Sequence, residues 1–329
     1  MALEFFTPQD LPPTLAQEIV HFLDSQTTSH PFQFPPWADS GSRFAVLRQA
    51  NRIRWFASCG TQFPLGRRFP GFRALTMNRG PVCDDRGLCR AALQELVDQS
   101  RSDKLVYLDA APDWLQSAGP SSVPEFDQDW KALGEGRFSL RLDLTATPDE
   151  LLAGLRKNTR YEVRRAERAA VTVEPSTHEN GIEDFLRLYL RLAGRKGFSA
   201  DSPDHLRRVL RWLMAEPSRG ALLLARDHAS VAGGAIIVRS GKRCWYVWGA
   251  SDKRDQFSAG HLLQWQALLW AKSQGCTEYD FGGYTPGATS GPAWFKEGFG
   301  GRVVHFVPAH RCVLRRRPYR LFRILARAR

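Results

Sequence analysis

Short stretches of alternating apolar and polar residues recur along the chain, and between them the period changes to that of a helix. Residues 42–49 and 52–60 alternate on either side of Ala50-Asn51 and predict two paired strands. Residues 72–77 continue the strand pattern. Residues 87–100 then set Leu88, Ala92 and Leu96 on one helical face, and residues 104–110 return to strand. The same order occurs again. Residues 221–226, 231–239 and 243–249 predict an antiparallel meander, residues 261–274 a helix capped by Ser258 and stopped by Gly275, and residues 277–281 a strand. Strands, helix and strand thus appear twice, with YLDAA and YDFGG at matching places, which is an internal repeat.

Between the two copies, residues 137–144 alternate as a strand. Thr147-Pro148-Asp149-Glu150 then supplies the cap, proline and glutamate of a helix start. That helix is expected to reach about Ala169, with Leu152, Leu155, Thr159, Val163 and Ala166 inward. Arg156, Lys157, Arg160, Arg164, Arg165 and Arg168 crowd its other side. Two more helices, residues 182–195 and 203–215, precede the meander. The expectation is an α/β protein of two domains, residues 1–145 and 146–310, the second carrying the site. A basic tail, residues 311–329, follows, and residues 111–131 form a connecting stretch.

The length of 329 residues suits two domains. The apolar runs are short beside the roughly 18 residues a membrane span needs, and the N-terminus MALEFFTPQD lacks a basic leader. A cytoplasmic protein is expected, with any membrane contact peripheral and at the inner face. The six cysteines are scattered without a C-x-x-C pair, which reads as reduced thiols rather than a metal site or a disulfide framework. Net charge is +12, and nine arginines with no acidic residue lie from Arg302 onward, so the first 301 residues carry only +3 (12 − 9). A serine or cysteine nucleophile is unsupported: there is no G-x-S-x-G and no cysteine with an evident histidine partner. His261, His305 and His310 read as structural.

Four groups of residues carry a resemblance. They are FQFPPWA at 32–38, RGPV at 79–82, LDL at 142–144 with LRKNTRYEVRRA at 155–166, and YDFGG at 279–283 with WFKEGFGG at 294–301. In this order the chain resembles the FemAB family, the aminoacyl-tRNA-dependent transferases that build peptidoglycan cross-bridges. The resemblance implies two tandem acetyltransferase-like (GNAT-like) domains with mixed central sheets, and a substrate channel in the second. It implies Lys296 as the functional lysine backed by Phe295, Arg195 holding precursor phosphate, and Tyr246 as a site tyrosine. Asp280, Gly282 and Gly283 would line the channel. It also implies aminoacyl-tRNA as donor, a nucleotide- or lipid-linked cell-wall precursor as acceptor, and no resident cofactor. Asp39-Ser40 follows Trp37-Ala38 where relatives often have a basic residue, and no long coiled-coil insertion is present, which leaves the precursor open.

The chemistry of the residues is consistent with this. An aminoacyl ester is already activated, so amine attack needs proximity and a charge to stabilise the oxyanion, and one lysine ammonium supplies it. The same lysine equally suits the surface of a glycine-rich turn. Arg160 and Arg164, on the basic helix, could follow a phosphate backbone or simply face solvent. Residues 254–260, where an acetyl-CoA enzyme would cradle pyrophosphate, retain only Gly260 of the glycine-rich pattern, which favours a donor other than CoA. In the tail, from residue 314 on, Pro318 starts a helix with Leu321, Phe322 and Leu325 on one side and Arg320, Arg323 and Arg327 on another. That pattern suits an anionic membrane surface, tRNA phosphates or a frayed end. Two rival functions stand beside the transferase: an acyl-CoA-dependent N-acyltransferase of a sugar or small metabolite, and a non-catalytic RNA- or membrane-binding protein.

Overall fold

The computed structural model describes residues 2–66, 69, 71–116, 126–228, 230–252, 257–289 and 291–327. The chain forms two compact units. One comprises Met1–Arg137 with His305–Arg329, the other Phe138–Val304.

The first unit contains β1 (Leu3–Phe6), α1 (Pro13–Ser25), β2 (Arg43–Gln49), β3 (Arg52–Gln62), β4 (Ala74–Arg79), β5 (Val82–Cys83), α2 (Arg86–Ser102), β6 (Tyr107–Pro112) and β7 (Trp130–Ala132). The second contains β8 (Phe138–Asp143), α3 (Pro148–Gly154), α4 (Lys157–Arg168), β9 (Thr172–Pro175), α5 (Glu179–Lys196), α6 (Pro203–Ala215), β10 (Gly220–Arg226), β11 (Val231–Ser240), β12 (Arg243–Ser251), α7 (Ala259–Ser273), β13 (Glu278–Tyr284), α8 (Gly291–Glu297) and β14 (Arg302–His305). The chain then re-enters the first unit with β15 (His310–Val313) and α9 (Arg316–Arg327).

The two sheets share one plan. In the first, β1-β2-β3-β4 run antiparallel, β4 pairs β6 in parallel, and β15 and β7 follow. In the second, β9-β10-β11-β12 run antiparallel, β12 pairs β13 in parallel, and β8 and β14 follow. A helix, α2 or α7, links each parallel pair, as a parallel connection requires. The internal repeat in the sequence is therefore a repeat of fold.

This plan corrects the domain boundaries. Each sheet takes the strand beyond its parallel pair from out of turn: β8, ahead of the second unit's helices, pairs β13, and β15, after the second unit, pairs β6. The division consequently falls at Arg137/Phe138, one strand earlier than residue 145. Residues 311–329 are not a separate tail. Cys312 is buried in the first sheet, and Arg311 is held by two bonds to Asp109 (2.6 and 2.7 Å). Of the expected connecting stretch, residues 117–125 lie outside the described residues.

The single helix expected from 148 to 169 is two. The capping box at Thr147 and Glu150 forms, but Leu155 and Arg156 are extended (ψ 145° and 139°). A tertiary bond interrupts the helical ladder there: the Arg156 N–H donates to the Gly298 carbonyl at 2.9 Å. Thr159 sits against Gly298 so closely that a Cβ on that glycine would lie 2.1 Å from its Oγ1. Leu155, Thr159, Val163 and Ala166 nonetheless stay inward and buried. They meet a core in which Leu263, Leu268 and Trp265 of α7 join Tyr279, Phe281 and Phe299. All six cysteines are buried thiols. No helix among the described residues is long and apolar enough to cross a membrane.

Candidate functional site

The site grows out of two irregularities in the second sheet. Strands β12 and β13 pair only over Arg243–Trp245 and Glu278–Asp280. Beyond that, β12 bulges: Tyr246 faces Ile237 and Trp248 faces Ile236, leaving Val247 as the extra residue. Strand β13 bulges as well, with Asp280 opposite Arg141 and Gly283 opposite Ser139. The two strands run on without pairing each other, to Ser251 and Tyr284, and their facing edges present backbone groups that need partners. A cleft of about 580 Å³ is lined here by Tyr246, Gly249, Gln264 and Phe295 among others.

The β13 bulge is held by a buried polar cluster. Asp280, fully buried, accepts from Arg141 Nε at 2.7 Å, from the Gly282 N–H at 2.9 Å and from the Ser139 hydroxyl. Gly282 has φ +71°, and a Cβ there would lie 3.1 Å from the Tyr246 carbonyl. Gly282→Ala is expected to destabilise the protein by about 1–2 kcal/mol, the cost of a left-handed non-glycine residue. Urea unfolding measures this, and an unchanged midpoint would contradict the role given to the glycine.

Phe295 and Lys296 are neighbours on α8 and turn different ways. The Phe295 ring lines the cleft and packs on His261 (centroids 4.9 Å apart) and Phe299 (5.4 Å). Lys296 is 9% exposed and points to β13, donating from Nζ to the Gly283 carbonyl at 2.6 Å. Burial pushes its pKa down to about 8, against the opposing pull of Asp280. Tyr246, pushed up to about 12 chiefly by burial, stays a neutral phenol. Its hydroxyl lies where a Cβ on Gly249 would be 1.9 Å away, so the cleft wall needs glycine there. Deeper in, the Tyr279 hydroxyl donates to Gln264 at 3.0 Å.

The mouth of the cleft is charged. Arg195 and Lys196 occupy the last turn of α5, where the helix dipole favours cations, and Arg165 of α4 joins them. Glu162 and Asp252 are the lining carboxylates. Arg195 is half exposed, with Nη1 3.9 Å from Asp252, which also takes Arg191 at 3.1 Å.

The residues expected from sequence fall into two adjoining groups. Lys296, Asp280, Gly282 and Gly283 gather at the β13 bulge, while Tyr246, Phe295 and Arg195 line the cleft. Gly282 against the Tyr246 carbonyl, and α8 itself, join them. Arg160 and Arg164 are not among the lining residues. Arg160 donates to the Ala153 carbonyl at 2.7 Å, closing the end of α3, and Arg164 faces outward. With Thr159, Val163 and Ala166 inward, the helical phase turns Glu162 and Arg165 to the cleft instead. Arg141 and Ser139 were also missed. Their signal was the strand alternation, which sets them on the face opposite Leu140 and Leu142, but nothing local shows that this face is buried. Of the loop at 254–260, Ser258 and Gly260 border the cleft at the start of α7, and residues 254–256 lie outside the described residues.

A mixed sheet whose parallel pair splays around a cleft, with a helix starting at its mouth, makes the second unit acetyltransferase-like, and the first unit repeats the sheet plan with its parallel pair closed from Leu75 to Arg79. Residues 153–297 match the acetyltransferase (GNAT) domain family. The chain is 24% identical over 149 residues to the UDP-N-acetylmuramoylpentapeptide-lysine N(6)-alanyltransferase of Weissella viridescens, which is 45% of this chain and 44% of that protein. It is 40% identical over 52 residues to the lipid II:glycine glycyltransferase of Staphylococcus epidermidis, 15% of this chain and 12% of that one. The chain thus matches less than half the length of these relatives. A crystal structure of FemX superposes with a TM-score of 0.79 at 18% identity, covering 98% of this chain and 99% of that one. By sequence these relatives are an alanyltransferase and a glycyltransferase, and by fold the chain is built as FemX is.

Proposed function

We propose that the protein is an aminoacyltransferase. It moves an amino acid from aminoacyl-tRNA to an amine of a peptidoglycan precursor, nucleotide- or lipid-linked, at the cytoplasmic side of the membrane. The observation that carries this reading is the cleft itself, which lies within the domain matched to the acetyltransferase family in a chain whose relatives are named as alanyl- and glycyltransferases. The acceptor amine attacks the ester carbonyl, the C–N bond forms, and the C–O bond to the tRNA ribose breaks. The amine proton passes to the leaving hydroxyl through water or substrate groups. Lys296 as an ammonium stabilises the oxyanion, and one of its three N–H donors is already committed to Gly283. Asp280 holds the bulge that aims it. Arg195 binds acceptor phosphate at the cleft mouth, and Tyr246 and Phe295 shape the wall.

Because Lys296 acts charged and its pKa is near 8, kcat/KM is expected to fall as pH rises through about 8. A pH profile checks this. Activity that rises through the same range would make Lys296 a general base instead. The donor is tested by offering charged tRNA and acyl-CoA separately to purified protein with each class of acceptor. The second reading, an acyl-CoA donor, is favoured by one observation: the N-terminus of α7, with Ser258 and Gly260, borders the cleft, and backbone N–H groups there suit a pyrophosphate.

A further inference from the structure

Helix α9 carries more apolar surface than the fold uses. Tyr319 and Phe322 pack on Tyr107, with ring centroids 5.8 and 5.9 Å away, beside Ala74 and Val106. Arg311, just before the helix, stacks on the same Tyr107 ring at 3.9 Å. These contacts fix α9 to the first unit. At about 100° per residue, Leu321, Ile324 and Leu325 fall on a different side of the helix. They are 46%, 66% and 43% exposed. A helix needed only for packing would set polar residues there. Arg316, Arg317, Arg320 and Arg323 are exposed as well, and none of the four is ion-paired among the described residues. At the helix start a hollow of about 560 Å³ is bordered by Phe72 and Leu321 on one hand and by Arg315, Arg316 and Arg317 on the other.

We infer that α9 docks the protein on an anionic phospholipid bilayer. Lipid phosphates meet the arginines, and Leu321, Ile324 and Leu325 enter the boundary between headgroups and acyl chains. The charge complementarity is one-sided, since no acidic residue follows Arg302 to dilute it. A polynucleotide would engage the arginines but leave the exposed aliphatic side chains without a partner, so the bilayer accounts for both features. This goes beyond the transfer reading and does not rest on it, because docking is measured with neither donor nor acceptor present.

The test is co-sedimentation of the full-length protein with vesicles of phosphatidylcholine alone and of phosphatidylcholine with phosphatidylglycerol. One variant carries Leu321→Ser, Ile324→Ser and Leu325→Ser. A second carries Arg316→Gln, Arg317→Gln, Arg320→Gln and Arg323→Gln. Both change exposed positions and keep Tyr319 and Phe322, and circular dichroism confirms their folding. Binding to the anionic vesicles alone is expected. It should weaken about fivefold for each arginine replaced and about tenfold or more in the serine variant. Equal affinity for both vesicles, full binding by the serine variant, or binding only to added tRNA that depends on the arginines and not on the aliphatic residues would overturn the inference.

Discussion

Lys296→Ala is expected to lower kcat/KM for aminoacyl transfer by about 10²–10³-fold, the effect of removing one preorganised oxyanion donor. The stability of the fold should change little or improve, because the substitution relieves the burial of a cation whose pKa the site has already pushed down to about 8. Activity and unfolding therefore move independently. Lys296→Met, which keeps the bulk without the charge, should behave as alanine does. A variant that loses activity only in step with its thermal midpoint would make the lysine structural, and one that keeps full activity would remove it from the mechanism.

The second large effect falls on stability. Asp280→Ala removes from Arg141, 4% exposed, the carboxylate that accepts its Nε–H at 2.7 Å, and takes from the Gly282 N–H its acceptor. Loss of one partner from such a pair costs about 3–5 kcal/mol, read as a shift in the urea midpoint. The double variant Asp280→Ala/Arg141→Met should recover part of that loss, because it also removes the buried cation that has lost this carboxylate. A single variant within 1 kcal/mol of the parent, by the same order-of-magnitude reckoning, would mean that the pair is not what holds the bulge. Activity should fall in both variants, since the bulge sets the Gly283 carbonyl that Lys296 grips at 2.6 Å.

The strands and most helices were legible because each buries one face and so writes its period into the sequence. The meander of β10, β11 and β12 and the run of α7 into β13 are clear cases. The two Gly-rich motifs were legible for a related reason: a left-handed bulge at Gly282 and the turn at Gly298–Gly301 admit little else. The break between α3 and α4 was not, because it is made by the carbonyl of Gly298, far away in sequence. The domain boundary failed similarly: that β15 completes the first sheet and β8 the second is a fact of tertiary pairing with no local mark. At the site, Lys296 and Phe295 could be named from a motif. The turning of one to β13 and the other to the cleft depends on α8 docking. Arg165 lines the cleft while Arg160 and Arg164 do not, because helical phase, and not charge density, decides which cation of α4 lies there.

A transfer assay with purified protein decides between a tRNA-dependent aminoacyltransferase and its rivals. Radiolabelled aminoacyl-tRNA and acyl-CoA are offered separately, with nucleotide-linked and lipid-linked muropeptide acceptors. Label is expected to move from tRNA to an acceptor amine, and this transfer is expected to be lost in Lys296→Ala. Label moving only from CoA, or transfer from tRNA that survives without Lys296, would contradict it.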